Sequence, residues 1–183
     1  MGSTGASEIC IFDHTVRGVP GMKEASEPAK GYVTRVHIDG AYSSADTLAR
    51  YYFESAAEPL IATKCLQILN VWRPLAEIKQ DPLAVADSTS IPEEDLVYVP
   101  IIHPYALGGT YVVPRNDCHR WFFVDRQKPE QVLVFKSYDS RKDIPARRTA
   151  HCSFSKPGKM DEDVRQSIEL RALCFFDKIV DND

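Results

Sequence analysis

The chain has 183 residues, of which 44% are hydrophobic and 26% charged. That balance belongs to one globular domain with enough apolar material for a core, and it excludes disorder. The formal net charge of −4 excludes the basic field that nucleic acid requires, and no apolar run is long enough to span a membrane.

Residues 1–7 are small and polar without an apolar stretch, so no secretory signal is expected. The sequence then predicts a strand over 8–15, with Ile9, Ile11 and Phe12 as its apolar part. Glycine, proline and charged residues make 18–31 a loop. A second strand is expected over 32–37. Ser44 reads as the N-cap of a helix running to about residue 57, with Leu48, Tyr51, Tyr52 and Ser55 along one face and Pro59 ending it. From residue 65 onward short β-like runs dominate: 65–72, 96–103, 110–113, 121–124, 132–138, 149–154 and 167–176. Pro74, Pro82, Gly108, Gly109, Pro114, Pro129 and Pro145 punctuate them. Many short strands at near-regular spacing indicate a sandwich or barrel. No repeat or linker divides the chain, so 1–183 is expected to be a single domain with flexible ends at 1–7 and 178–183.

Five cysteines stand apart as Cys10, Cys65, Cys118, Cys152 and Cys174. None forms a C-x-x-C pair, so structural zinc is not expected. The odd count without a leader fits free thiols in a reducing, cytoplasmic setting.

The sharpest local feature is His37-Ile38-Asp39, just before Gly40. In an extended chain residues i and i+2 share a face, so one imidazole and one carboxylate converge. His151 lies on a late strand. Two histidines and one carboxylate form the facial triad of non-haem iron(II) oxygenases, which leaves coordination positions open for cosubstrate and dioxygen. Alone, H-x-D is common by chance, and surface residues at a strand end would read the same way.

The last strand adds weight. Arg165, Ser167, Glu169 and Arg171 alternate with Ile168, Leu170 and Ala172. A row of Arg, Ser, Glu and Arg is costly to bury without partners. It is therefore either an ordinary outer face or the lining of a barrel that holds a dicarboxylate. Arg165 and Ser167 offer a guanidinium fork and a hydroxyl suited to one carboxylate.

Several segments resemble a known family in order along nearly the whole chain. They are Phe12-Asp13-His14-Thr15 with Arg17, Val36-His37-Ile38-Asp39, Asn70-Val71-Trp72-Arg73-Pro74-Leu75 and Asp81-Pro82-Leu83-Ala84. They continue with His119-Arg120-Trp121, Lys136-Ser137-Tyr138-Asp139-Ser140 and the run from Arg165 to Ala172. Together they are similar to the hydroxylase/desaturase family that includes fungal gibberellin-desaturase-like proteins, with the small chain of the cephamycin 7α-methoxylase system as a relative.

The resemblance implies a mostly β fold, a double-stranded β-helix or jelly roll with one or two flanking helices. It also implies iron(II)/2-oxoglutarate-dependent oxidation of a small secondary-metabolite intermediate, with dioxygen as cosubstrate. By position, His37, Asp39 and His151 would be the iron ligands. Arg165 and Ser167 would hold the distal carboxylate of 2-oxoglutarate, with Arg171 as the competing anchor and Asn70 nearby. Trp72, Arg73 and His14 would face the substrate, although core packing and structural hydrogen bonding account for them as well.

Family members carry a segment before the F-D-H-T motif, so an N-terminally short member is expected. That shortening keeps open a non-oxidative cyclase or isomerase, or a non-catalytic subunit paired with a homologue, on the same barrel. A homodimer is equally compatible. A cupin-like binding domain would call for further histidines clustered near His37, which the sequence lacks. Cys152 should point away from His151 as a core thiol.

Overall fold

The computed structural model describes residues 4–19, 32–103, 106–157 and 164–178. Most of the expected 18–31 loop and parts of both chain ends lie outside them. The described elements run in the order β1 (Glu8–Arg17), β2 (His37–Ile38), α1 (Ala45–Phe53), a 3-10 turn (Glu54–Ala56), α2 (Ala57–Thr63), β3 (Lys64–Pro74) and β4 (Leu83–Ala86). They continue with β5 (Val97–His103), β6 (Ala106–Val112), β7 (Trp121–Phe123), β8 (Leu133–Asp139), β9 (His151–Ser153) and β10 (Ser167–Asp177).

The strands form two sheets. One has four strands in the order β1-β10-β3-β8, the other six in the order β5-β6-β2-β9-β4-β7. Every pairing is antiparallel. This is the strand-dominated, two-sheet jelly roll that the family resemblance implies, with helices at its flank.

Period-2 alternation assigns the faces. On β3, Leu66, Ile68, Asn70 and Trp72 are buried and point between the sheets. Leu66 and Ile68 join Leu173, Phe175, Tyr138 and the helical Ala45 and Ala49 in the largest core cluster. Trp72 and Phe135 from the four-stranded sheet meet Leu83 of β4 in another, which shows that the sheets pack face to face. The outer face of the four-stranded sheet is also covered, since Ala6 packs with Leu69, Ala172 and Cys174. That is why β3 and β10 carry apolar residues on both sides.

The structure revises four sequence-based expectations. The strand expected over 32–37 shrinks to the last residue and Ile38, because only isolated backbone bonds tie its start, such as Ser153 N to Val33 O at 2.8 Å. Ser44 does not cap α1 with its side chain. Its buried hydroxyl instead accepts from Gly109 N at 2.9 Å and fastens the helix start to β6. Pro59 does not end the helix. It sits in the first turn of α2, where a missing N–H costs nothing, and the helix runs on to Thr63. Tyr51 turns outward, because α1 packs through Ala45 and Ala49 with Leu48 and Tyr52 beside them. No helix among the described residues is long and apolar enough to cross a membrane.

Leu173 is fully buried in the main cluster, whereas Val134 on the edge strand β8 is 55% exposed. Leu173→Ala should destabilise the protein by about 2–5 kcal/mol. Val134→Ala should cost less than about 0.5 kcal/mol. Urea unfolding of both variants measures the contrast, and equal losses would contradict this assignment of faces.

Candidate active site

β2 and β9 lie side by side, and His37 pairs directly with His151. Residues directly opposite in an antiparallel pair share a face, so both imidazoles project between the sheets. Their ring centroids are 4.3 Å apart. Asp39 follows β2 by one residue and shares the face of His37 by the i, i+2 rule. Its Oδ1 lies 3.6 Å from His37 Nε2 and its Oδ2 3.5 Å from His151 Nε2. The ligand atoms of all three residues lie within 4.8 Å of one another.

The donor set fits a first-row divalent ion. Bonds of about 2.1 Å at right angles hold donor atoms about 3 Å apart, close to the spacing found. The two Nδ1 atoms face backbone carbonyls, His37 that of Arg35 at 2.9 Å and His151 that of Thr149 at 3.3 Å. With the proton on Nδ1, each Nε2 lone pair points toward Asp39.

Burial works to raise the Asp39 carboxyl pKa. Hydrogen bonding to His151 and His37, with the charges of His151 and Arg171, outweighs it and holds the group well below the ordinary carboxylate range. Burial works to lower the His151 pKa, but hydrogen bonding and attraction to Asp39 raise it above the ordinary imidazole value.

Asn70, fully buried on β3, crosses from the opposite sheet. Its amide nitrogen donates to Asp39 Oδ2 at 2.5 Å and to Glu169 Oε1 at 2.8 Å, while its carbonyl accepts from Ser137 Oγ at 2.6 Å. Both ends of the amide are therefore oriented, and Asp39 is held from behind.

The two arginines differ. Arg165 is 4% exposed, and no carboxylate lies within ion-pair distance of it among the described residues. Its Nη1 donates to the Asp81 carbonyl and to Ser153 Oγ, both at 2.6 Å. Its guanidinium stacks over Tyr32 at 4.1 Å, and its Nε is buried without a partner. Burial lowers its pKa to about 10. Its backbone is fixed too. Tyr32 donates to its carbonyl at 2.6 Å, and Gly18, at φ 74, packs so closely that any Cβ would collide with that carbonyl. Ser153 lies two residues beyond His151 on β9, so Arg165 reaches the triad's face of the six-stranded sheet. Ser167, 1% exposed, follows two residues after it. Arg171, by contrast, is paired. Its Nε donates to Asp13 Oδ2 at 2.9 Å, its Nη2 reaches the same oxygen, and its Nη1 lies 3.6 Å from Asp39 Oδ1.

The fold thus gathers His37, Asp39, His151, Asn70, Arg165, Ser167, Arg171 and Trp72 between the sheets. Two expected substrate-facing residues lie outside this interior. Arg73 is out of phase with Asn70 and Trp72, is exposed, and donates to the Pro129 carbonyl at 2.9 Å. His14 is exposed on β1, because a bulge between Ile11 and Asp13 turns Phe12 and Asp13 inward in its place. Cys152 is buried next to His151 in sequence but lines a different cavity, with Trp121 and Phe154. Sequence reasoning missed Asp13, Ser137, Ser153 and Tyr32. Asp13 and Ser137 carried a signal, their places in the F-D-H-T segment and in the segment from Lys136 to Ser140.

The sequence matches a family model described as "Oxidoreductase/YMDC permease-like domain" over residues 1–175. It is 34% identical over 185 residues to the alpha-ketoglutarate-dependent dioxygenase phiK of a fungal species, covering 94% of this chain and 65% of that protein. It is 34% identical over 198 residues to the hydroxylase/desaturase efuI of Hormonema carpetanum, covering 96% and 66%. Among solved structures, the iron and alpha-ketoglutarate-dependent endoperoxidase NvfI superposes with a TM-score of 0.82 at 29% identity, over 96% of this chain and 64% of that one. The chain spans a little under two thirds of the length of these relatives.

Because imidazole binds a metal only when neutral, affinity for iron(II) should fall as pH drops. The fall should begin above the ordinary imidazole pKa of about 6.5, since that of His151 is raised. Anaerobic iron(II) titrations between about pH 5 and 8 measure this. Flat affinity would contradict two histidine ligands.

Proposed function

On the premise that this chain belongs to the family of hydroxylase/desaturases and alpha-ketoglutarate-dependent dioxygenases, we propose that it oxidises a small secondary-metabolite intermediate, using iron(II), 2-oxoglutarate and dioxygen. The single observation that carries this reading is the direct pairing of His37 with His151, closed by Asp39.

His37, Asp39 and His151 would hold iron(II). The distal carboxylate of 2-oxoglutarate would sit against Arg165 and Ser167. The support is chemical: Arg165 is a buried cation with an orphaned Nε, and no carboxylate lies within ion-pair distance of it among the described residues. A dicarboxylate supplies the missing acceptor. When bound, iron(II) and 2-oxoglutarate supply the oxidising power for hydroxylation, desaturation or ring closure.

The remaining work belongs to the chain. Asn70 and Ser137 fix the Asp39 carboxylate, so its ligand oxygens need not reorganise. Trp72 and Phe135 close the interior around His151 and keep water from it. Five free cysteines are consistent with work in a reducing cytoplasm.

Anaerobic addition of 2-oxoglutarate to the iron(II)-loaded protein should produce a weak visible charge-transfer band. Its absence from folded protein would favour a non-oxidative or non-catalytic role on the same barrel. Arg165→Leu should weaken 2-oxoglutarate binding by at least about tenfold, with iron(II) affinity retained. Unchanged 2-oxoglutarate affinity would remove Arg165 from that role.

A further inference from the structure

A cavity of about 340 Å³ opens on the Asp39 side of the triad. Phe12, Leu48, Tyr52, Ile68 and Ile101 give it apolar walls. Its charged members are Asp13, Asp39 and Arg171. The size and the mix of apolar wall with a few convergent polar groups suit a small organic ligand.

The electrostatics of this cavity are the reverse of those around Arg165. The guanidinium of Arg171 is already committed, with Nε and Nη2 both donating to Asp13 Oδ2. Its Nη1, 3.6 Å from Asp39 Oδ1, has no hydrogen-bond acceptor among the described residues. One donor therefore remains, and no free positive charge. An anion entering here would meet Asp13 and Asp39 with their cation already engaged. A cation would have to break the Arg171–Asp13 pair. The anion could take that one donor but would face two carboxylates with no free positive charge, and the cation would find no free carboxylate. An uncharged molecule with an apolar body and one oxygen acceptor avoids both costs, and its acceptor takes Nη1.

We propose that this cavity is the substrate chamber, that it admits an uncharged, mainly apolar small molecule whose oxygen accepts from Arg171, and that Asp13 is the residue that turns carboxylates away. The proposal rests on the oxygenase reading and names the substrate class of that same site.

The test is equilibrium dialysis of 2-naphthol, 2-naphthoate and 2-naphthylmethylamine against the anaerobic protein loaded with iron(II) and 2-oxoglutarate. The neutral probe should bind at least about tenfold more tightly than either ion. Leu48→Trp fills the chamber and should remove 2-naphthol binding. Asp13→Asn leaves the apolar wall intact and releases the charge of Arg171, so it should shift preference toward 2-naphthoate by about tenfold. The visible chelate band is read on the same samples. With the band present, three probes bound alike, none bound, or a preference unmoved by Asp13→Asn overturns the chamber. A missing band removes the oxygenase reading, and the proposal with it.

Discussion

The site depends on one strand register, the placement of His37 directly across from His151. A slip of one residue would turn one imidazole to the other face of the sheet. β2 has only two residues and cannot hold such a register alone. It is clamped from both sides. β6 pairs with it on one flank and β9 on the other. Thr110 donates its hydroxyl to the Ile38 carbonyl, and Val113 N bonds Val36 O at 3.2 Å. The helix start reinforces the same corner, with Ser44 bound to Gly109 and Ala41 N to Gly109 O at 2.8 Å. Two short strands and the residue after β2 thus bring the three candidate metal ligands to one point because their neighbours fix them.

The four-stranded sheet supplies what the triad lacks. Its inward stripe of Arg165, Ser167, Glu169 and Arg171 is costly to bury, and each of its three charged members has a separate means of tolerating burial. Arg171 is neutralised by Asp13 and Asp39, and Glu169 accepts from Asn70. Arg165 is sustained by a carbonyl, a hydroxyl and two aromatic faces. The result is a polarised interior, with a cation that has no carboxylate at ion-pair distance among the described residues on one side of the triad and a cation paired with carboxylates on the other. On the proposed reading, that asymmetry would separate a place for a dicarboxylate from a place for a neutral molecule.

Much of this was legible in the sequence because it follows from period 2. The alternation of Arg165 to Arg171, the i, i+2 pair His37 and Asp39, and the apolar runs of β3, β8 and β10 need only extended backbone to be read. Features that depend on irregular backbone were not legible. The β1 bulge exchanged His14 for Asp13 at the cavity wall, and no spacing rule marks it. Arg73 lies outside the interior, as strict alternation with Asn70 and Trp72 already implies. Ser44 carries a cap signature, yet tertiary contact with β6 outcompeted the local bond. β4 is not among the expected strands, because Leu83–Ala86 is a short apolar run without alternation and is held as a strand by pairing with β7 and β9.

The central claim is that two imidazoles, each held through Nδ1 by a backbone carbonyl, share one metal ion with Asp39. Proton NMR of the cobalt(II)-loaded protein tests it most directly, because ligand imidazole N–H protons next to a paramagnetic ion shift far outside the normal range. Two such exchangeable resonances are predicted, protected by the carbonyls of Arg35 and Thr149, with one lost in His151→Ala. A spectrum with no strongly shifted exchangeable proton, or with both retained in His151→Ala, would contradict it.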